Sequence, residues 1–115
     1  MSNYCVYFIG IQGNEDDTQP IKIGKTNDIG KRLIELNTGS PYSLEVKYEI
    51  ILPNNRLTTW AEKYFHTKFE KQKIHHEWFD IPASLLELEY YEEELFEENP
   101  EFEWDYLKLT CLKED

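Results

Sequence analysis

The sequence predicts one mixed α/β domain of the α+β kind. Apolar and polar residues alternate in residues 43–52, which is typical of a strand, and the apolar stretch at residues 4–11 indicates another strand. Apolar residues recur at helical spacing in residues 29–36 and 57–69. At 115 residues the chain has the length of one ordinary domain. The predicted order is strand, strand, helix, strand, helix, short strand and helix, which is typical of a mixed domain.

A hairpin is predicted near the N-terminus. In YCVYFIGI, residues 4–11, one face of the strand carries Tyr4, Val6 and Phe8, and the other carries Cys5, Tyr7 and Ile9. A polar, acidic loop then leads to a second strand at IKIG, residues 21–24. We expect these two strands to pair.

The stretch IKIGKTNDIGKRL, residues 21–33, raises the question of a phosphate-binding loop between a strand and a helix. A P-loop requires a glycine five residues before the glycine that precedes its lysine, here Gly24. That earlier position is Gln19, and it is followed by Pro20, which has no N–H to donate to a phosphate. The sequence therefore excludes a nucleotide cradle of this type.

Two helices and a third strand are predicted after the hairpin. The first helix is capped by Asn27 or Asp28, has apolar positions at Ile29, Leu33 and Leu36, and ends at Gly39. The third strand has Leu44, Val46, Tyr48 and Ile50 on one face and Glu45, Lys47 and Glu49 on a wet face. The second helix runs from about Asn55 to Lys73, with Leu57, Ala61, Phe65 and Phe69 on its apolar side.

Residues 82–115 are predicted to form an acidic helix and tail that pack on the domain of residues 1–81. HHEWFDI, residues 75–81, resembles a short strand or an extended segment, and FEWDYLKL, residues 102–109, a last strand or extended tail. Ser84 and Glu87 form a capping box that starts a helix over residues 84–98, which ends at Asn99-Pro100. Its expected core-facing residues are Leu85, Leu88, Tyr91 and Leu95, and its expected exposed anionic residues are Glu92, Glu93 and Glu97.

Negative charge is concentrated at the C-terminal end. Residues 1–80 contain 10 Lys/Arg and 11 Asp/Glu, a net charge of −1, whereas residues 81–115 contain 2 and 12, a net charge of −10. A negative field repels nucleic acid, whose binding depends mainly on Lys and Arg that neutralise phosphates. Any nucleic-acid site is therefore expected within residues 1–80.

An intracellular, cytoplasmic protein with no membrane contact is expected. No apolar run approaches the ~18–20 residues of a membrane span, and the first basic residue is Lys22, so the basic start of a signal peptide is absent. Cys5 and Cys111 match no metal or redox spacing, and two buried thiols are typical of a reducing compartment. A disulfide between them is the minority interpretation.

Several motifs, in this order and spacing, resemble the GIY-YIG nuclease superfamily. They are CVYFI at residues 5–9, IKIG at residues 21–24, a helix with Arg32 and a helix with Glu62. The likeness covers roughly residues 4–81 and is greatest for a phage-associated branch. The features of that branch are Lys22-Ile23-Gly24, Ala61-Glu62 followed by His66, and Glu77-Trp78-Phe79. The resemblance implies a small three-stranded sheet flanked by helices.

The resemblance also implies hydrolysis of DNA or RNA phosphodiesters with one divalent metal ion, Mg²⁺ or Mn²⁺. Tyr7 would help to deprotonate the attacking water, Arg32 would hold the scissile phosphate, and Glu62 would bind the metal. Lys22 stands where most of the superfamily has tyrosine, and His66 lies one turn after Glu62 on the same helical face. Tyr7, Lys22, Arg32 and Glu62 are expected to converge on one cleft, and a structure with Arg32 and Glu62 on opposite sides of the sheet would contradict the nuclease site.

Each of these residues also has a purely structural interpretation. Tyr7 is explained by packing on a half-buried strand, and Arg32, beside the apolar stripe of its helix, by snorkelling or an ion pair with Glu35. His66 either completes a site or makes a local hydrogen bond.

For Glu62 the choice depends on where its helix begins. Glu62 lies three residues after Thr59, so TTWAE reads as a capping box with Glu62 as its structural partner. A helix that starts at Asn54 or Asn55 instead leaves Glu62 in mid-helix, without that structural role.

The alternative function is a catalytically inactive binding module on the same fold. The first motif, Cys5-Val6-Tyr7, lacks the superfamily's glycine, Lys22 replaces a phenol, and the late asparagine of the better-known nucleases has no counterpart that we can place. In this alternative the acidic C-terminal helix docks on a basic protein, as a phage-type inhibitor of a nucleic-acid-binding or defence protein. A solvated surface also explains the charge run.

Overall fold

The computed structural model describes residues 4–13, 18–82 and 92–99 and confirms the α+β class. One antiparallel sheet has the strand order β3-β1-β2-β5-β4. Its strands are β1 (Cys5–Ile11), β2 (Thr18–Thr26), β3 (Leu44–Ile51), β4 (Lys73–His75) and β5 (Trp78–Pro82). The helices are α1 (Ile29–Thr38), α2 (Asn55–Lys68) and α3 (Glu92–Glu98), and a 3₁₀ turn spans Glu70–Gln72.

The predicted sheet of three strands is wrong, because the segment after α2 adds two more. The helix expected to reach Lys73 ends at Lys68, and the buried Phe69 and the 3₁₀ turn redirect the chain into β4. β5 then pairs with the outer edge of β2, from Thr18 opposite Pro82 to Lys22 opposite Trp78. This pairing supplies partners for backbone groups that a three-stranded sheet would leave exposed at that edge.

The sheet is covered on both faces, and the interior strand β1, between β3 and β2, contributes to both. On one face Val6 and Phe8 pack with Leu57, Ala61 and Phe65 of α2. On the other face Tyr7 and Ile9 pack with Ile29, Leu33 and Leu36 of α1. The predicted assignment of these β1 residues to opposite faces is confirmed.

The third strand changes face halfway along its length. Phe8 pairs with Tyr48 but Ile9 pairs with Val46, so Lys47 is an extra residue in β3. Such a bulge inverts the alternation of side chains, because the period of a strand is two. Leu44 and Val46 therefore lie on the α1 face, whereas Tyr48 and Ile50 lie on the α2 face. The prediction of a single apolar face for this strand is wrong.

Local capping fixes where α1 and α2 begin. The Asp28 side chain accepts a hydrogen bond from the backbone N–H of Lys31 (3.1 Å), and Gly39 ends α1, as predicted. The Asn54 side chain accepts from the N–H of Leu57 (2.8 Å). Since α2 is capped at Asn54, Glu62 lies in mid-helix and is not part of a capping box.

Of the helix predicted over residues 84–98, the structure describes residues 92–98. Leu95 is buried in the core on the α2 face, Glu97 is exposed, and α3 ends at Glu98 as predicted. The predicted capping box, the core positions Leu85, Leu88 and Tyr91, the side chains of Glu92 and Glu93, FEWDYLKL and Cys111 lie outside the described residues. Within the described chain, no helix is both long and apolar enough to cross a membrane.

Candidate functional site

The phenol of Tyr7 lies across Gly24 of the neighbouring strand. The two residues are partners in the β1–β2 register, and the Tyr7 side chain is buried. A Cβ on Gly24 would lie 2.4 Å from the Tyr7 hydroxyl oxygen and 2.6 Å from its Cζ atom. The ring is enclosed and cannot simply move aside. The glycine of the IKIG motif is therefore required by the position of the Tyr7 ring.

Arg32 reaches the Tyr7 hydroxyl from α1. Its Nε–H donates a hydrogen bond to that oxygen at 3.2 Å, and its Nη1 lies 3.4 Å from the Glu35 carboxylate. The predicted ion pair with Glu35 is thus present, but it is solvent-exposed, and such pairs contribute little. The Tyr7 bond is therefore the contact that orients Arg32.

The Tyr7–Arg32 bond joins a neutral phenol to a cation. Burial raises the pKa of Tyr7, and the hydrogen bond from Arg32 only partly opposes that rise. The same hydrogen bond is the main reason that the pKa of Arg32 is raised. At neutral pH, Tyr7 therefore keeps its proton and Arg32 its positive charge.

In the described chain, the ladder between β5 and the outer edge of β2 ends at Lys22, and this edge is open only beyond Ile23. At this edge the N–H of Ile23 donates to the carbonyl of Glu77 (3.0 Å), and the Ile23 carbonyl lies 2.8 Å from Nε2 of His66. A carbonyl can only accept, so Nε2 of His66 carries a proton, and in the neutral form of the ring Nδ1 has the lone pair. The partner is 43 positions away, so this bond is not the local one considered from the sequence.

Glu62, His66 and Glu77 form a Glu–His–Glu cluster beside this edge. One ligand atom from each lies within 4.8 Å of the others, and all three residues are half-buried. Burial raises the pKa of Glu62, an effect that the charge of His66 opposes and that of Glu77 reinforces. Ligands about 2.1 Å from one ion lie about 3–4.2 Å apart in octahedral geometry, so small side-chain rotations would suffice to hold a divalent cation. The donor set fits such an ion.

Lys22 connects the cluster to the face of the sheet that α1 covers. Its Nζ is 3.1 Å from the Glu77 carboxylate and 5.8 Å from the centre of the Trp78 ring, and its side chain is only 12% exposed. In the β1–β2 register Lys22 is opposite Ile9, which places it on the face that carries Tyr7. The lysine that replaces a superfamily phenol is thus next to the cluster.

The expectation that Arg32 and Glu62 lie on the same side of the sheet is wrong for the helices that carry them, and this contradicts a nuclease site built as one cleft on a single face. Their helices, α1 and α2, cover opposite faces, since alternate residues of β1 pack against α2 and against α1. Glu62 is nevertheless connected to the other face, because its carboxylate lies within 4.8 Å of Glu77, which pairs with Lys22 at 3.1 Å. After burial and the Arg32 contact, the charges of Glu77 and Glu62 also raise the pKa of Tyr7, and Lys22 acts on Glu62. The candidate site therefore wraps around a strand edge.

A family model, the T5orf172 domain, matches residues 4–101 of the chain. The chain belongs to the T5orf172 domain family. This phage-associated domain is related to nuclease-type folds of the GIY-YIG and HNH-like kinds, which confirms the broad part of the resemblance seen in the sequence. No curated protein and no solved structure matches the chain.

Two further residues of this T5orf172 domain contribute to the site although the sequence assigned them no role. Glu77 joins the cluster and pairs with Lys22, and its one signal in the sequence was the Glu-Trp-Phe triplet. Gly24 admits the Tyr7 ring. Lys25, next to Gly24, donates to the Thr59 hydroxyl of α2 at 2.8 Å.

Proposed function

We propose that this T5orf172 domain is a metal-dependent endonuclease-like domain of the GIY-YIG kind, acting on DNA or RNA phosphodiesters. The observation that supports it is the meeting of the Tyr7–Arg32 pair, Lys22 and the Glu–His–Glu cluster at one open strand edge. Phosphodiester hydrolysis needs a phosphate clamp, a path for the proton of water and a cation. The edge of β2 holds side chains of the right type for all three.

Arg32 is the proposed phosphate clamp. Its Nε–H stays bonded to Tyr7, which keeps the guanidinium plane in place. The Glu35 pair is exposed and weak, so a phosphate oxygen can replace that carboxylate at Nη1. A planar guanidinium binds phosphate oxygens through parallel N–H donors, which lysine cannot reproduce.

Tyr7 is the proposed proton acceptor for the attacking water. Because its pKa is raised by burial, it rests as a neutral phenol and must lose its own proton as it takes one from water. Glu62 and Glu77 belong to the cluster that would hold the cation, so solvent water is the proposed acceptor of that proton. Mg²⁺ or Mn²⁺ held at Glu62 would neutralise charge that develops on the phosphate and acidify the water.

The test is a cleavage assay on single- and double-stranded DNA and RNA, with Mg²⁺, with Mn²⁺ and with chelator. We expect metal-dependent cleavage, and the Arg32→Ala variant should lower the rate by about 10²–10³-fold, as for the loss of one transition-state donor. Lys31→Ala is the matched control, since it removes an exposed positive charge from the adjacent position of α1. Its rate should stay within a few-fold of the wild type.

A folded wild-type protein that cleaves none of these substrates would contradict the proposal. The binding module would then be the better interpretation, and the departures at Cys5 and Lys22 favour it. Its proposed partner surface is the acidic end of the chain, where Glu97 is exposed and Glu94 is already paired with Lys68 at 2.8 Å. In that case the protein should bind a basic partner, with an affinity that falls as salt is raised.

A further inference from the structure

The Glu–His–Glu cluster offers a cation three protein ligands, and their types indicate which ion the site favours. Two carboxylates and one imidazole converge from α2 and from the turn before β5. A single carboxylate leaves most of the coordination of a hard ion to water, whereas three protein donors define a chelating site. The imidazole also changes which ions the site favours.

We propose that Glu62, His66 and Glu77 together ligate one first-row divalent cation, with Mn²⁺ bound more tightly than Mg²⁺, and that the cation displaces Lys22 from Glu77. The inference rests on the proposed function for the purpose of the ion, but its tests measure binding and not cleavage. Displacement would free the Lys22 ammonium for a substrate phosphate.

His66 is oriented as a metal ligand is in known centres. Ligating histidines usually donate their second ring N–H to a carboxylate or a backbone carbonyl, which fixes the tautomer and the ring plane. Here Nε2–H donates to the Ile23 carbonyl, and the ring lies against Phe79 with 5.1 Å between centroids. Nδ1 is therefore the nitrogen with a lone pair for the ion.

The ion pair between Lys22 and Glu77 neutralises the Glu77 carboxylate when no metal ion is bound. The lysine ammonium lies 3.1 Å from the carboxylate and so provides the positive charge that an ion would otherwise provide. A cation bound to Glu77 would repel this ammonium. Because the Lys22 side chain is only 12% exposed, its charge would then need a new anionic partner, and a phosphate at the same strand edge would be one.

The first experiment measures Mn²⁺ and Mg²⁺ binding, Mn²⁺ by the loss of the free-ion electron paramagnetic resonance signal and Mg²⁺ by competition. The background is the His75→Gln, His76→Gln protein, because these exposed histidines have ring centroids 3.8 Å apart and form a second imidazole pair. We expect one Mn²⁺ per chain. Glu77→Gln and His66→Gln should each weaken Mn²⁺ binding by on the order of tenfold or more.

The controls separate loss of a ligand from loss of structure or of general charge. Gln at position 66 retains an N–H for the Ile23 carbonyl but lacks Nδ1, so it should weaken Mn²⁺ binding more than Mg²⁺ binding. Glu70→Gln removes an exposed negative charge outside the cluster and should leave Mn²⁺ affinity unchanged. Equal weakening by Glu70→Gln and Glu77→Gln would overturn the assignment of Glu77.

The second experiment is a double-mutant cycle between Lys22 and Glu77. Lys22→Met should raise Mn²⁺ affinity several-fold, because it removes the competing cation, and this gain should disappear in the Glu77→Gln background. An equal gain in both backgrounds would mean only a general charge effect, and would overturn the displacement. Zn²⁺ should also shift a ring-nitrogen resonance of His66, and unshifted His66 nitrogens at saturating Zn²⁺ would overturn its role.

Comparison with cleavage distinguishes this inference from the proposed function. If the protein cleaves nucleic acid while Glu77→Gln and His66→Gln bind Mn²⁺ normally, the three-ligand centre is wrong and the nuclease proposal stands. If Mn²⁺ binds as described and no substrate is cleaved, the centre is supported and the nuclease proposal is contradicted.

Discussion

The helices α1 and α2 cover opposite faces of the same sheet but are held in different ways. α2 buries Leu57, Thr58, Ala61 and Phe65, and Phe65 packs edge-on against Phe8 with 5.1 Å between ring centroids. None of the ten described residues of α1 is fully buried, and Ile34 is 69% exposed. The amphipathic pattern is similar in the two sequences, yet only α2 is anchored in the main core.

This difference divides the candidate site into two parts. Glu62 and His66 belong to a helix whose position is determined by close packing, which tolerates little displacement. Arg32 belongs to the lightly packed helix and is oriented by one hydrogen bond to Tyr7. The cation part of the site is therefore expected to be rigid and the phosphate part adjustable, and each prediction below tests that contrast.

The largest expected effect concerns the packing of the two helices. Leu57→Ala in α2 should lower the free energy of unfolding by about 2–5 kcal/mol, because Leu57 is 3% exposed and leaves a cavity. Leu33→Ala removes the same atoms from a partly buried position in α1 and should cost about 1 kcal/mol. Urea denaturation of both variants measures the difference. Equal costs would show that α1 is anchored as firmly as α2.

A smaller effect is expected at the contact between Gly24 and Tyr7. Gly24→Ala places a methyl group 2.4 Å from the Tyr7 hydroxyl and should cost about 1–3 kcal/mol by overpacking. It should also break the Tyr7–Arg32 bond, which the Nε–H resonance of Arg32 reports. Gly39→Ala is the control, because its Cβ would meet no atom of the described residues within 4 Å and its φ of −100° suits any residue. Its effect should stay within about 0.5 kcal/mol. An unchanged Arg32 resonance in Gly24→Ala would contradict this account.

Features that depend on neighbouring residues in the chain could be predicted from the sequence. The sequence narrowed the cap of α1 to Asn27 or Asp28, and left Asn54 as one of the possible starts of α2; in the structure Asp28 and Asn54 each accept a hydrogen bond from the N–H three residues later. The two faces of β1 follow from a period of two, and the end of α1 follows from Gly39. These are local effects, and local physical chemistry is sufficient for them.

Features that depend on distant pairing could not be predicted in this way. The pairing of β5 with β2 joins residues 18–22 to residues 78–82, and no local pattern specifies that partner. The alternation through β3 continues unbroken in sequence, although Lys47 forms a bulge that inverts it. The resemblance to a family predicted Tyr7, Arg32 and Glu62 as site residues. It did not predict that the helices of Arg32 and Glu62 cover opposite faces of the sheet. Glu77 could be assigned to the site only from the structure, in which it lies beside Glu62 and His66 of α2.

The smallest expected effect compares two glutamates that interact with α2 residues, Glu62 in the site and Glu94 of α3. Burial raises the pKa of Glu62 above its unfolded value, so the ionised form opposes folding. Its stabilisation is present below the unfolded pKa and is lost as pH rises through the folded pKa. Hydrogen bonds from Lys68 and Tyr64 lower the pKa of Glu94, so its stabilisation is present above the unfolded pKa and is lost as pH falls through the folded pKa.

In chelator at pH 7, Glu62→Gln should therefore raise the free energy of unfolding and Glu94→Gln should lower it, each by no more than about 1 kcal/mol because both groups are partly exposed to solvent. At pH 4 the gain from Glu62→Gln should shrink, since the wild-type carboxyl is then largely protonated. Urea denaturation at the two pH values measures the change in free energy of unfolding for each variant. Added Mn²⁺ should make Glu62→Gln less stable than the wild type, because the ion stabilises only the wild type. A destabilised Glu62→Gln in chelator would mean that Glu62 serves the fold, and the rigid α2 part of the site would lose its functional interpretation.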